Sequence, residues 1–166
     1  MIEVIDNFLD DYNFAKLKEY VSDKNLPWQY GTILPENILE CDPVENYQLI
    51  HVLYADKKCG PQLNLIIPLL KKLNAESLLK AKINLTWRRE KNIRIGWHTD
   101  IQKDPIPENY KTAIYYLNTN NGSTIVGDTI VECVENRIVL FDASIKHIGV
   151  TCTDKNKKLL LNINYY

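Results

Sequence analysis

From Lys80 to Tyr166 the chain reads as a succession of short extended segments, and this run constrains the fold more than any other feature. Lys80–Trp87, Asn92–Trp97, Thr112–Leu117, Thr129–Val134, Arg137–Phe141 and Lys158–Tyr165 are rich in β-branched and aromatic residues. Such residues fit a pleated, half-buried surface. Turn-forming stretches such as Asn120-Asn121-Gly122 separate them. Six strands following a more helical first part predict a mainly β fold, a sandwich with helices packed on one side. The jelly-roll variant known as the double-stranded β-helix suits this layout. Periodicity by itself does not distinguish it from other sandwiches.

The first part is mixed. Ile2–Ile5 is a short strand, and Asp10-Asp11 can cap a helix that carries Phe14, Leu17 and Val21 on one face. Residues 26–47 contain Pro27, Pro35 and Pro43 and few periodic signals, so they are expected to be irregular. Gln48–Tyr54 reads as a strand. Pro61–Leu73 is apolar at helical spacing, with Pro61 suited to a first turn and Pro68 expected to kink or restart the helix. The 166 residues suit one domain, with a helical part over 1–79 and a β core over 80–166.

A chain of this length buries a core without help from disulfides or a structural metal, so a bound metal would serve chemistry. The net charge is −1, with acidic and basic residues well mixed. That disfavours a general nucleic-acid or membrane binder, which shows a basic face. The one basic cluster, Arg88, Arg89, Lys91 and Arg94, reads more readily as a solvated strand end. Cys41, Cys59, Cys133 and Cys152 are scattered and read as reduced thiols. No signal segment opens the sequence, and no apolar run approaches the ~18 residues that span a bilayer. A cytoplasmic location is expected.

The chain has three histidines. His98, Thr99 and Asp100 make a His-x-Asp pattern at a strand end, and His147 follows 47 residues after Asp100, beyond the strand-like segment 136–142. Two imidazoles and one carboxylate can hold one face of an octahedral Fe(II) and leave three positions open. With 21 acidic residues in the chain, His-x-Asp is also a frequent accident. Further downstream, Lys158 opens an alternating strand. Period two puts Lys158, Leu160, Asn162 and Asn164 on one face and Leu159, Leu161, Ile163 and Tyr165 on the other. The first face is either solvated or lines an interior where the cation requires an anionic partner. Tyr115 and Tyr116 must point to opposite faces of their strand.

This order of residues resembles the 2-oxoglutarate/Fe(II)-dependent oxygenase superfamily, above all its prolyl-hydroxylase-like branch and small bacteriophage-encoded members. The similarity is carried by Trp97-His98-Thr99-Asp100, Ile114–Asn118, Asn136–Asp142 through Gly149, and Lys158. It is looser for Asp6–Leu9 and Pro27-Trp28. The resemblance implies that His98, Asp100 and His147 ligate the metal and form the catalytic centre. It implies that Lys158 pairs with the distal carboxylate of 2-oxoglutarate, helped by Tyr116, with Asn84 as a further co-substrate contact and Asn162 and Asn164 in the pocket wall. Lysine stands where most of the superfamily has arginine, so a bidentate clamp is lost. The implied activity is hydroxylation with 2-oxoglutarate and dioxygen as co-substrates and succinate as product, on a peptide or small molecule, first of all a peptidyl proline. Ile101–Tyr110, with Pro105 and Pro107, is the expected loop over the site.

Three alternatives remain at this point. A cupin-like hydrolase or isomerase would use the same ligands with zinc or manganese, but such sites carry more histidines, and His51 reads as structural. A jelly-roll binding module would keep the fold without turnover. An oxygenase acting on a nucleobase would present a continuous basic groove.

Overall fold

The computed structural model describes all 166 residues. Its elements are β1 (Ile2–Ile5), α1 (Asp11–Ser22), β2 (Gln29–Gly31), β3 (Gln48–Ala55), β4 (Lys58–Cys59), α2 (Ile67–Lys72), β5 (Leu78–Trp87), β6 (Lys111–Tyr116), β7 (Ser123–Val126), β8 (Thr129–Glu132), β9 (Ile138–Asp142), β10 (His147–Val150) and β11 (Lys157–Tyr165). Short 3-10 turns lie at Glu36–Ile38, Pro43–Glu45 and Leu63–Ile66. Eight strands form the large sheet, ordered β1-β9-β6-β11-β5-β3-β2 with β4 beside β3. A smaller sheet, β10-β7-β8, faces it. All strand pairs are antiparallel.

Two sheets and one helical layer create two cores. The larger lies between the large sheet and α1 and α2, where Leu17, Leu69, Ile83, Leu161 and Ile163 are all fully buried. Burying one such side chain contributes about 1.5–3 kcal/mol. The smaller core fills the sandwich with Ile114, Tyr116, Val126, Val131, Val139 and Phe141. This is the mainly β, double-stranded β-helix arrangement expected, with helices against one sheet. The alternation of β11 decides which residues meet which core. Leu159, Leu161, Ile163 and Tyr165 face the helices, and Lys158, Asn162 and Asn164 are buried on the other side.

Local chemistry explains the main boundaries. Asp10 caps α1 by accepting from the Asn13 amide, and Leu17 and Val21 are its buried stripe. Pro68 sits in the first turn of α2, where its missing N–H costs nothing, so α2 begins anew at Ile67 and Pro61 lies outside it. Asn136, with φ +62°, makes the turn before β9. Its side chain accepts from the Leu9 amide and the Tyr115 hydroxyl and donates to the Leu9 carbonyl. One asparagine thereby ties the N-terminal segment to the sheet.

Several expectations need correction. Asn92–Trp97 is not a strand. Only isolated bridges, Arg94 to Val150 and His98 to His147, survive there. Gly96 takes φ +155°, and the Ile95 carbonyl accepts from the Glu40 amide rather than continuing a ladder. His147 does not trail the preceding strand but opens β10. Two four-residue strands, β10 and β7, went unforeseen. Residues 1–79 supply four strands as well as helices.

Candidate active site

His98 and His147 face each other across the bridge between the Trp97 region and β10. The backbone amide of each donates to the carbonyl of the other, at 3.0 and 2.9 Å. This reciprocal pairing holds their rings 4.3 Å apart, centroid to centroid. The chain then bends so that Asp100, two residues on, returns its carboxylate to the same point. Asp100 Oδ1 lies 4.0 Å from His98 Nε2, and Oδ2 lies 3.8 Å from His147 Nε2. The candidate ligand atoms of all three lie within 4.8 Å of one another.

The surroundings fix the donors. His98 Nδ1 lies 3.1 Å from the Gly96 carbonyl, so the hydrogen sits on Nδ1 and the Nε2 lone pair faces Asp100. Burial pushes the His147 imidazole down to about 4, which keeps it neutral near pH 7. Burial opposes ionisation of Asp100, but His147, the Asn162 amide, His98 and Lys82 together hold it below the usual carboxylate range. The side-chain amides of Asn162 and Asn164 both donate to Asp100 Oδ2, at 2.9 and 3.2 Å. Asn164 also donates to Thr112. The neutral His147 Nε2 repels the carboxylate it faces unless a cation lies between them. Two donors about 2.1 Å from a shared centre lie at most about 4.2 Å apart, and both measured separations fall inside that limit. The donor set therefore fits a divalent metal ion.

A cavity opens in front of the three residues, between β5, β11 and β10 on one side and residues 33–38 on the other. Lys158 closes its inner end. Its side chain is buried, and Nζ donates to the carbonyls of Ser123 and Val150 at 2.6 and 2.9 Å, with no acidic partner. An ammonium so placed lacks a counter-charge; besides the two carbonyls its polar neighbour is the buried Cys133 thiol, a weak acceptor that an anion would outcompete. Asn84 also lines the cavity, and its carbonyl oxygen is buried without a partner. Tyr116 is fully buried, with its hydroxyl beside that of Thr124 and no other polar side chain bonded to either. Thr124 lines the cavity and Tyr116 does not.

Other candidates fall elsewhere. His51 is 5% exposed, against Tyr20 and Trp28, its ring nitrogens meeting the Tyr20 hydroxyl and the Pro27 carbonyl. Arg89 is buried in an ion pair with Glu45 and stacks over Tyr47, while Arg94 pairs with Glu40. Two members of the basic cluster are thus paired with neighbours, and Arg88 and Lys91 are exposed, as expected of a solvated strand end. The segment 101–110 contributes only Gln102 to the cavity, and the outer wall comes instead from Ile33, Leu34, Pro35 and Ile38. Gly96 permits that wall: a Cβ there would stand 2.3 Å from the Ile38 carbonyl oxygen. Lys80 and Lys82, which line the cavity, were missed in the sequence. The signal was present, because period two places them on the face of β5 that carries Asn84.

No protein-family model matches this sequence, and no curated protein matches it. Solved structures do match in shape. An oxidoreductase of the 2OG-Fe(II) oxygenase family from Burkholderia pseudomallei superposes with a TM-score of 0.71 at 12% identity, over 99% of this chain and 84% of its own. A Trichoplax adhaerens prolyl hydroxylase in complex with a hypoxia inducible factor peptide fragment gives 0.68 at 12% identity, over 99% and 83%. HygX from Streptomyces hygroscopicus, with nickel and 2-oxoglutarate bound, gives 0.63 at 12% identity, over 99% and 82%. The chain has the fold of the 2OG-Fe(II) oxygenases. No helix is long and apolar enough to cross a membrane.

Proposed function

We propose that the chain is an Fe(II)- and 2-oxoglutarate-dependent oxygenase in which His98, Asp100 and His147 hold the iron. The carrying observation is the pairing of this facial donor set with one buried, uncompensated lysine in the same cavity. A three-ligand face suits Fe(II) because it leaves positions for a chelating co-substrate and dioxygen. Iron, once bound, supplies the oxidising chemistry: dioxygen and 2-oxoglutarate yield succinate and carbon dioxide while a substrate C–H becomes C–OH.

The protein's own share is placement. Asn162 and Asn164 orient the Asp100 carboxylate and keep it ionised. Lys158 takes the distal carboxylate of 2-oxoglutarate at the closed end of the cavity, with the side-chain amide N–H groups of Asn84 as further donors in the same cavity. Thr124 offers its hydroxyl to the cavity, and Tyr116 packs beside it from the sandwich core. Leu34 and Ile38 exclude water from the outer side. A peptidyl proline is the substrate reading, supported by the resemblance of Ile114–Asn118 to the matching strand of prolyl hydroxylases.

The test is spectroscopic and chemical. Anaerobic Fe(II) plus 2-oxoglutarate should give a visible charge-transfer band that His98→Ala and Asp100→Ala abolish, and air should then yield succinate. A wild-type protein with neither band nor succinate would refute the assignment.

A further inference from the structure

The cavity contains more positive charge than 2-oxoglutarate requires. Lys80 and Lys82 lie on β5 and line the same space as Lys158. Neither ammonium has a hydrogen bond or an ion pair within the protein, and both side chains are half-buried. The nearest carboxylate to Lys82 is Asp100, whose charge is committed to the metal. Two like charges on one strand face repel each other and are costly to enclose unless an anion joins them.

The sheet register separates these lysines from Lys158. Thr86 lies opposite Lys158, Lys82 opposite Asn162, and Lys80 opposite Asn164. Four strand residues, about 13 Å, therefore divide Lys82 from Lys158 along the sheet. Asp100, hydrogen-bonded to Asn162, stands at the Lys82 level. One anion of the size of 2-oxoglutarate that chelates a metal at the His98 site and reaches Lys158 points away from Lys80. The apolar side chains of Leu34 and Ile38 face the same cavity.

We propose that Lys80 and Lys82 form a second anion subsite, which selects a primary substrate carrying a carboxylate or phosphate next to an apolar portion. This rests on the oxygenase reading above and adds the substrate's charge to it. The acid would be a side chain or terminus of a peptide, a small organic acid, or a phosphate ester. The lysines act by position: they hold the anion so that a neighbouring C–H stands before the metal, with the apolar portion under Leu34 and Ile38.

The experiment uses wild-type protein loaded with Mn(II) and saturated with 2-oxoglutarate, titrated by calorimetry with inorganic phosphate and, separately, with L-aspartate. Millimolar binding of at least one is expected, phosphate pointing to a phosphate ester and aspartate to a carboxylic acid. Raising the salt concentration should weaken it, since the half-buried Lys80 and Lys82 remain open to screening by solvent ions. The Lys80→Met/Lys82→Met double variant keeps side-chain length and should bind the probe at least about tenfold more weakly, with 2-oxoglutarate affinity unchanged within about threefold. Binding by neither probe, equal binding by the variant, or salt-independent binding would overturn the proposal. Loss of 2-oxoglutarate affinity in the variant would also overturn it, by giving these lysines to the co-substrate. Failure of the oxygenase reading is seen elsewhere, as a missing iron charge-transfer band. The wild-type salt dependence stands even if the variant folds poorly.

Discussion

Replacing Lys158 with methionine separates two roles that the wild-type side chain combines. Lys158 is 4% exposed and its ammonium donates to two backbone carbonyls with no acidic partner, so it is a buried charge without a counter-ion. Methionine fills similar volume and removes that charge, at the expense of leaving the Ser123 and Val150 carbonyls unpaired. Each unpaired group costs about 1–3 kcal/mol, and relief of an uncompensated charge is of similar size. The two largely cancel, so the ligand-free variant should melt within a few degrees of wild type. Binding of 2-oxoglutarate should behave differently. A charge-assisted hydrogen bond contributes about 1.5–3 kcal/mol, which is roughly a 10- to 150-fold change in Kd. At 2-oxoglutarate equal to 100 times the wild-type Kd, ligand should stabilise wild type by about 2.7 kcal/mol, and a variant weakened 100-fold by only about 0.4 kcal/mol. Thermal melts of the Mn(II) forms with and without 2-oxoglutarate, together with calorimetric Kd values, measure both quantities. A variant that binds 2-oxoglutarate within threefold of wild type would show that Lys158 does not hold its carboxylate.

Three further outcomes test the supports around the site. Asn162→Ala/Asn164→Ala strips both donors from Asp100 Oδ2 and should weaken Fe(II) affinity by about 10- to 100-fold in a chelator competition, with the fold intact by circular dichroism. Asn136→Ala removes three hydrogen bonds and the residue type that best tolerates φ +62°, so it should cost about 3 kcal/mol, lowering Tm by roughly 6–12 °C. Iron affinity of that variant, measured below its Tm, should stay at the wild-type value. Gly96→Ala forces a Cβ against the Ile38 carbonyl, two residues from His98, and should lower both Tm and iron affinity; a variant unchanged in both would contradict that close approach.

The sequence by itself determined the alternation of β11, and with it which residues share a face; that the Lys158 face lines a cavity and not solvent came from the tertiary structure. The three metal-ligating candidates came from the resemblance of Trp97–Asp100, His147 and Lys158 in their order along the chain to the 2-oxoglutarate/Fe(II) oxygenases. Alternation and residue type are local: both are written in consecutive positions. What only the tertiary structure decided was how distant segments meet. The reciprocal backbone pairing of His98 with His147 joins residues 49 positions apart, and no local pattern announces it. The wall from 33–38 exists because Gly96 lets a remote carbonyl come close. The lysines of β5 acquired meaning only when the register set Lys82 beside Asn162 and opposite the apolar wall. Strand pairing turns a periodic row of side chains into a site, and pairing is a property of the whole chain.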